Sequence, residues 1–423
     1  MRKILLLLIA GGLLYTILPQ SLNGRFSSSI YTFERFDTAG VSNTQARTFQ
    51  MLSFNFGKDK IWLRSNFNLE ADVANKLKSD PRLRFYNLYV DVNRLWNLVS
   101  LKLGRQPLYN SVAGGVFDGA TVGLNYEGYK LLVYYGGNVP AYQKLELIEN
   151  WNDNYIFGGE FTIYALNDWR FSAKYINKNF ASQSYTAERL DPNNNPISVL
   201  IENKSNQYQF LSGEVSYHKQ EFYSLNARYD YDINFQTTSR GEISGRLETV
   251  KNLGLNLYYN YRQPKIRYNS IFSVFNYGNT WEIEAGADYL IAGKYTVIAK
   301  VANVDYKEES SQRITLGVSS PYGSITARKN FGYAGEMDAV SFYTAFATMD
   351  GLLTPSFGFS YTNYKLTKDD PYNNLISVLL GTNYRPFRML SFDIQGQYLN
   401  NKIYKDDWRL FFKLNFWFNT IFN

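Results

Sequence analysis

This chain offers no thiol chemistry and little imidazole chemistry, with one histidine and no cysteine in 423 residues. His218 follows Ser216 and Tyr217 at the end of a strand-like segment, beside a short connection at 219–220. Hydrolysis would need that imidazole next to a nucleophile or a second acid, at a rim open to substrate. The turn places it at the opposite end, so catalysis is not expected. The run Asp191-Pro-Asn-Asn-Asn-Pro196 has oxygens that could hold calcium, but Asx-rich stretches usually serve turn geometry. No metal or cofactor is expected. The remaining chemistry is electrostatic. Arg64, Glu70, Arg170, Lys174, Arg228, Asp230, Arg262, Glu282, Glu284, Asp288, Arg409 and Lys413 stand at positions that alternate with apolar residues along their segments. Charges so placed act on polar solutes through fields and hydrogen bonds.

The elements that position them are β-strands. At 407–418, DWRLFFKLNFWF, the residues Trp408, Leu410, Phe412, Leu414, Phe416 and Phe418 alternate with Asp407, Arg409, Phe411, Lys413, Asn415 and Trp417. A period of two puts the first set on one face and the second on the other. The same division separates Leu63, Phe67 and Leu69 from Arg64, Asn66 and Glu70, and Trp169, Phe171 and Ala173 from Arg170 and Lys174. It separates Leu255, Leu257 and Tyr259 from Asn256, Asn260 and Arg262, and Trp281 and Ile283 from Glu282, Glu284 and Asp288. A charge turned toward lipid costs about 2–4 kcal/mol near the midplane. The charged face is therefore the watered one. Basic residues on the Arg170 strand and acidic ones on the Glu282 strand would either form opposed rows across a constriction or pair locally.

Length and composition favour one large barrel. Aromatic residues make up 17% of the chain, with 36 Tyr and 30 Phe, which suits girdles at two membrane interfaces. Mean hydropathy is −0.33, as expected when half of each strand meets water. No stretch after the N-terminus approaches the ~18 apolar residues of a spanning helix. The net charge of +7 is scattered, which argues against nucleic acid. Residues 1–24 read as a secretory signal, with Arg2 and Lys3, an apolar run at 4–14 and a polar region before a cut at Leu22 or Arg25. Residues 25–423 then form the barrel, with its first strands at 28–36, 47–56 and 61–71 and no room for a plug domain before them. Short connections, among them 57–60, 127–128, 251–252, 292–294 and 385–386, alternate with longer ones, among them 37–45, 138–154, 179–205, 263–278 and 307–311. That alternation predicts an all-β, transmembrane, antiparallel up-and-down β-barrel of about 22 strands (18–22), with short periplasmic turns and longer extracellular loops. So wide a cylinder would leak, and loop 179–205 is the first candidate to fold inward, followed by 138–154 and 268–277.

The segments Leu101-Lys-Leu-Gly-Arg-Gln-Pro107 and Gly115-Val-Phe-Asp-Gly-Ala-Thr121 resemble a strand pair of alginate-export-type porins of Gram-negative outer membranes. About twenty residues carry the resemblance. It implies the architecture, while the arginine-rich lumen of a polysaccharide conduit is missing here. Read locally, Gly104, Arg105 and Gln106 are a strand kink with a lumen-facing polar pair. The expected function is an outer-membrane channel for passive diffusion of small polar solutes, in contact with outer-membrane lipid and lipopolysaccharide. A structural or partner-binding barrel is the alternative. Homo-oligomerisation is compatible with either, and no sequence feature demonstrates it.

Overall fold

A computed structural model describes residues 20–38, 41–109, 112–140, 145–180, 185–190, 195–201, 207–219, 223–266, 268, 278–307, 309–333, 337–365, 367–402 and 405–422. The first strands are β1 (Gln20–Thr38), β2 (Val41–Lys58), β3 (Ile61–Asp72), β4 (Arg82–Leu95), β5 (Val99–Leu108) and β6 (Gly115–Tyr126). There follow β7 (Tyr129–Val139), β8 (Tyr155–Ile163), β9 (Trp169–Lys178), β10 (Tyr185–Leu190), β11 (Pro196–Ile201) and β12 (Tyr208–Lys219). The next are β13 (Tyr223–Asp232), β14 (Thr237–Val250), β15 (Leu253–Arg262), β16 (Thr280–Ile291), β17 (Tyr295–Tyr306) and β18 (Glu309–Ser320). The last are β19 (Gly323–Gly332), β20 (Met337–Ala345), β21 (Leu353–Tyr364), β22 (Asn373–Phe387), β23 (Leu390–Asn400) and β24 (Asp407–Phe422).

Twenty-two of these strands form one sheet, and β10 pairs only with β11 as a separate hairpin. Each sheet strand is antiparallel to its neighbours in sequence, with β9 pairing β12 across the inserted hairpin. The sheet closes where β24 pairs β1, from Gln20 opposite Phe422 to Thr32 opposite Leu410. Closure leaves the sheet no free edge. Among the described residues no helix is long and apolar enough to cross a membrane.

Side-chain exposure follows the alternation read from the sequence. In β24, Trp408 (61%) and Leu410 (58%) are exposed, while Asp407 (0%) and Asn415 (5%) are buried. Exposed apolar residues recur on the same outward face all round the barrel, for example Leu103, Val122, Leu211, Ile243, Leu257, Val301, Leu316 and Leu380. The tight turns use the left-handed backbone that two-residue hairpins need. Glu127 and Gly128, the two-residue link of β6 and β7, have φ of 41° and 87°, and Ala292 and Gly293, in the three-residue link 292–294, have 51° and 66°.

Several boundaries differ from the sequence reading. β1 begins at Gln20, inside the segment assigned to the leader, because 21–23 pair with 55–57 of β2 and with 419–421 of β24. Residues 1–19 lie outside the described part. The loop expected at 37–45 is largely strand, since β1 and β2 stay paired as far as Thr38 opposite Val41. Likewise β17 ends at Tyr306 and β18 starts at Glu309, so the expected loop 307–311 is short. The turn expected at 385–386 lies beyond Phe387. β22 continues through Pro386 because the register shifts between Tyr384 and Phe387, and a bulge accommodates a residue without an N–H.

Candidate functional site

The inner face is the one opposite the exposed apolar rows, and the charges singled out in the sequence stand on it, most of them in local ionic groups. On the β2–β4 wall, Glu70 accepts from Arg82 at 2.9 Å and lies 3.6 Å from both Arg47 and Arg84. Arg64 donates its Nε–H to Asp91 at 2.9 Å. Above this wall, Asp80 accepts the Leu77 N–H at 2.8 Å and the Asp72 N–H at 3.1 Å. The Leu77 bond is the larger cause holding the Asp80 carboxyl below its ordinary range.

On β8, β9, β12 and β13, Lys174 donates to Glu214 at 2.7 Å and lies 3.9 Å from Glu160, which Arg170 approaches at 3.8 Å. Arg228 reaches Glu214 at 3.3 Å and Asp230 at 2.9 Å. The Ser212 hydroxyl donates to Asp230 at 2.5 Å. Further round, Arg246 grips Asp288 through two nitrogens at 2.5 and 2.9 Å. Glu284 accepts from Lys300 at 2.8 Å and Arg313 at 2.9 Å, and Arg313 also binds Glu282. Arg409 donates to Asp407 at 2.6 Å. Lys413 stands opposite Asp393 in register, and Arg262 is exposed, opposite Arg240.

Local pairing therefore cancels the segregation by strand that the sequence suggested. The basic Arg170–Lys174 row faces Glu160 and Glu214, and the acidic Glu282–Glu284 row faces Arg313 and Lys300. Arg47, Arg82, Asp91, Glu214 and Arg313 are partners that the candidate set lacked. Their sign and alternation were visible, but their pairing depends on register. His218 lies at the end of β12, where its backbone N–H donates to Asp168 O at 2.8 Å.

The inner face is not polar throughout. Phe117, Tyr134, Ile156, Ile176 and Phe210, from five strands, form a buried apolar cluster inside the wall, and Val112 packs onto it from the β5–β6 connection. Two lysines hold that connection inward. Lys178 donates to Gly114 O at 2.8 Å, and Lys265, 153 residues away in sequence, donates to Val112 O at 2.6 Å. Lys265 also lies 6.0 Å from the Phe210 ring centroid. Burial pushes the Lys265 ammonium below the ordinary lysine range.

Among the described residues an inward segment thus lies at 112–114, which was not among the loops singled out earlier. The connection 179–205 carries the β10–β11 hairpin, whose Ile197 and Leu200 are exposed; 181–184, 191–194 and 202–206 lie outside the described residues. Tyr268 packs on Phe235, and 269–277 are likewise outside. The described part of the loop 138–154 that carries Ile148 and Trp151, residues 145–154, turns outward. Its Ile148 and Trp151 lie where a Cβ on Gly137 would point, and Trp151 meets the outward Tyr135 edge-on at 5.4 Å. Beneath it, Arg105 and Asp118 form a two-point pair at 2.7 and 2.8 Å. Loop backbone completes the pair, with Arg105 donating to Glu146 O and the Ile148 N–H donating to Asp118.

The Arg-Gln reading is corrected here. Gln106 faces inward and accepts from Thr121 at 2.7 Å, but Arg105, opposite Leu88 and Asp118, shares the outward face. Neighbouring strand residues point to opposite faces.

No protein-family model matches the sequence, and no curated protein does. Solved structures resemble it in fold. OpdK of Pseudomonas aeruginosa with vanillate aligns at TM-score 0.43 and 10% identity, over 94% of this chain and 99% of that one. OpdQ of Pseudomonas aeruginosa aligns at 0.43 and 10%, over 95% and 97%. A chain of the E. coli P pilus tip assembly intermediate PapC-PapD-PapK-PapG aligns at 0.51 and 8%, over 94% of this chain and 61% of that one. At such identities the likeness is one of fold.

Proposed function

We propose that this chain is an outer-membrane channel through which small polar solutes diffuse passively, and that it carries no catalytic activity. One observation supports this above the others: the closed barrel is apolar outside and lined inside by paired ions. Bilayer hydrocarbon tolerates only closed hydrogen-bonded surfaces, and an interior so charged has to be wet. In this reading the export signal expected at 1–24 ends ahead of Gln20, where β1 begins, and lipid and lipopolysaccharide surround the barrel. The twelve charged residues of the candidate set are lumen-lining, and 112–114 narrows the passage. The likeness of the Arg105 and Asp118 strands to alginate-export-type porins belongs to this reading too, without their substrate.

Purified protein in planar bilayers tests it. Discrete conductance steps are expected, with a reversal potential near zero in a salt gradient, because neighbouring charges of opposite sign leave little net field. Lys265→Met, which unties Val112, is expected to raise the conductance by on the order of a factor of two. If neither protein conducts, the channel reading fails in favour of a structural or partner-binding barrel.

A further inference from the structure

Most charges of the inner wall are matched, but those at one part of the short-turn end are not. The links of β22–β23, β2–β3 and β4–β5 lie along one arc of that end, because β24 pairs β1 and closes the ring between them. Arg385 and Arg388 stand at the first link, Lys58 and Lys60 at the second, and Arg94 at the third. Asp59, between the two lysines, is the acid of this arc. Lys60, Arg94, Arg385 and Arg388 are exposed, and none of them makes an ion pair among the described residues. Arg385 instead lies 5.3 Å from the Trp417 ring centroid and donates to Arg388 O at 2.8 Å. Further along the same strands, Arg64 pairs with Asp91 and Arg82 with Glu70. Like charges gathered without partners repel one another, so the arc draws its counter-ions from outside the chain.

Large apolar side chains stand exposed on the same links: Trp96 (84%), Phe387 (64%) and Met389 (53%). Aromatic and apolar residues beside bases mark the headgroup depth of a bilayer, where ring bodies enter the apolar zone and cations meet phosphate. We infer that the arc binds the headgroups of anionic phospholipids in the leaflet that meets the short turns, an inference that rests on the membrane-channel reading above. A dissolved anion would find the bases but leave the apolar side chains beside them in water. A phospholipid matches both, with its phosphate on the bases and its tails below. The β18–β19 link, Pro321-Tyr322, carries no charge and gives an internal comparison.

The absence of cysteine permits single labels. Bimane is placed at Thr420→Cys on β24, an exposed position opposite Leu22 of β1 and so within the arc. A second protein carries it at Ile325→Cys on β19, beside the uncharged link. Each is reconstituted in phosphatidylcholine vesicles in which a rising fraction of the lipid is brominated phosphatidylglycerol or brominated phosphatidylcholine. At 420 the phosphatidylglycerol is expected to reach half-maximal quenching at a mole fraction roughly fivefold lower than the phosphatidylcholine. At 325 the two lipids are expected to quench alike. Lys60→Gln with Arg94→Gln and Arg388→Gln, or about 1 M salt, is expected to remove the difference at 420 and leave the phosphatidylcholine curve unchanged. Equal curves for the two lipids at 420, the same preference at 325, or a preference that survives neutralisation overturns the inference. Failure of the membrane reading looks different, because vesicles made wholly of brominated phosphatidylcholine would then quench neither label.

Discussion

Leu316→Arg is expected to destabilise the barrel in lipid vesicles by about 2–4 kcal/mol, the cost of a charge facing hydrocarbon near the bilayer midplane. Leu316 lies within β18 (Glu309–Ser320), is 55% exposed, and pairs with Ala299 and Ala327, all on the outward face. The same substitution at Thr326, on the adjoining strand but on the inner face, is expected to cost less than about 1 kcal/mol. Urea unfolding of the two variants in the same vesicles measures the difference. Equal costs would mean that the two faces meet the same medium, which no membrane barrel allows.

The second large effect concerns Arg105 and Asp118. Their side chains are 4% and 5% exposed, and the outward loop covers them. Removing one partner leaves the other charge buried and alone, which costs about 3–5 kcal/mol. Asp118→Ala is expected to lose that much in urea unfolding. It should also admit protease to 145–153, since the Ile148 N–H loses its acceptor. Replacing both, Arg105→Met with Asp118→Leu, is expected to recover most of the stability, because well-packed apolar substitutes for a buried pair are often neutral. The loop would stay open to protease in the double variant if the ion pair, and not the apolar contact of Trp151, anchors it. A loss below about 1 kcal/mol in Asp118→Ala would show the pair to be solvated.

Strand number and facing were legible because both are local properties. Alternation in Trp408–Phe418 needs no partner to be read, and glycines such as Gly128 and Gly293 mark their turns by backbone preference alone. What could not be read depends on contacts distant in sequence. Val112 is held inward by Lys178, 64 residues from its acceptor Gly114, and by Lys265, 153 residues away. The one local signal was an apolar pair, Val112-Ala113, in a connection otherwise poor in such residues. Arg105 was misread because a kink at Gly104 suggested that both following polar residues turn inward, whereas pairing with Leu88 keeps the alternation intact. Pro386 suggested a turn, and its bulge lies inside β22. The ionic partners followed the same logic. Glu282 and Arg313 were each readable as inward charges, but only the register of β16, β17 and β18 brings them together.

The central claim is that consecutive residues of one strand see oil and water in turn around a closed cylinder. A single-cysteine scan of 408–418 in reconstituted vesicles tests it most directly, using a water-soluble maleimide and a lipid-borne quencher on the resulting labels. Positions 409, 411, 413, 415 and 417 are predicted to react with the aqueous reagent, and labels at 408, 410, 412, 414 and 416 to be quenched from the lipid. Uniform reactivity along the strand, or quenching without the two-residue period, would contradict the account.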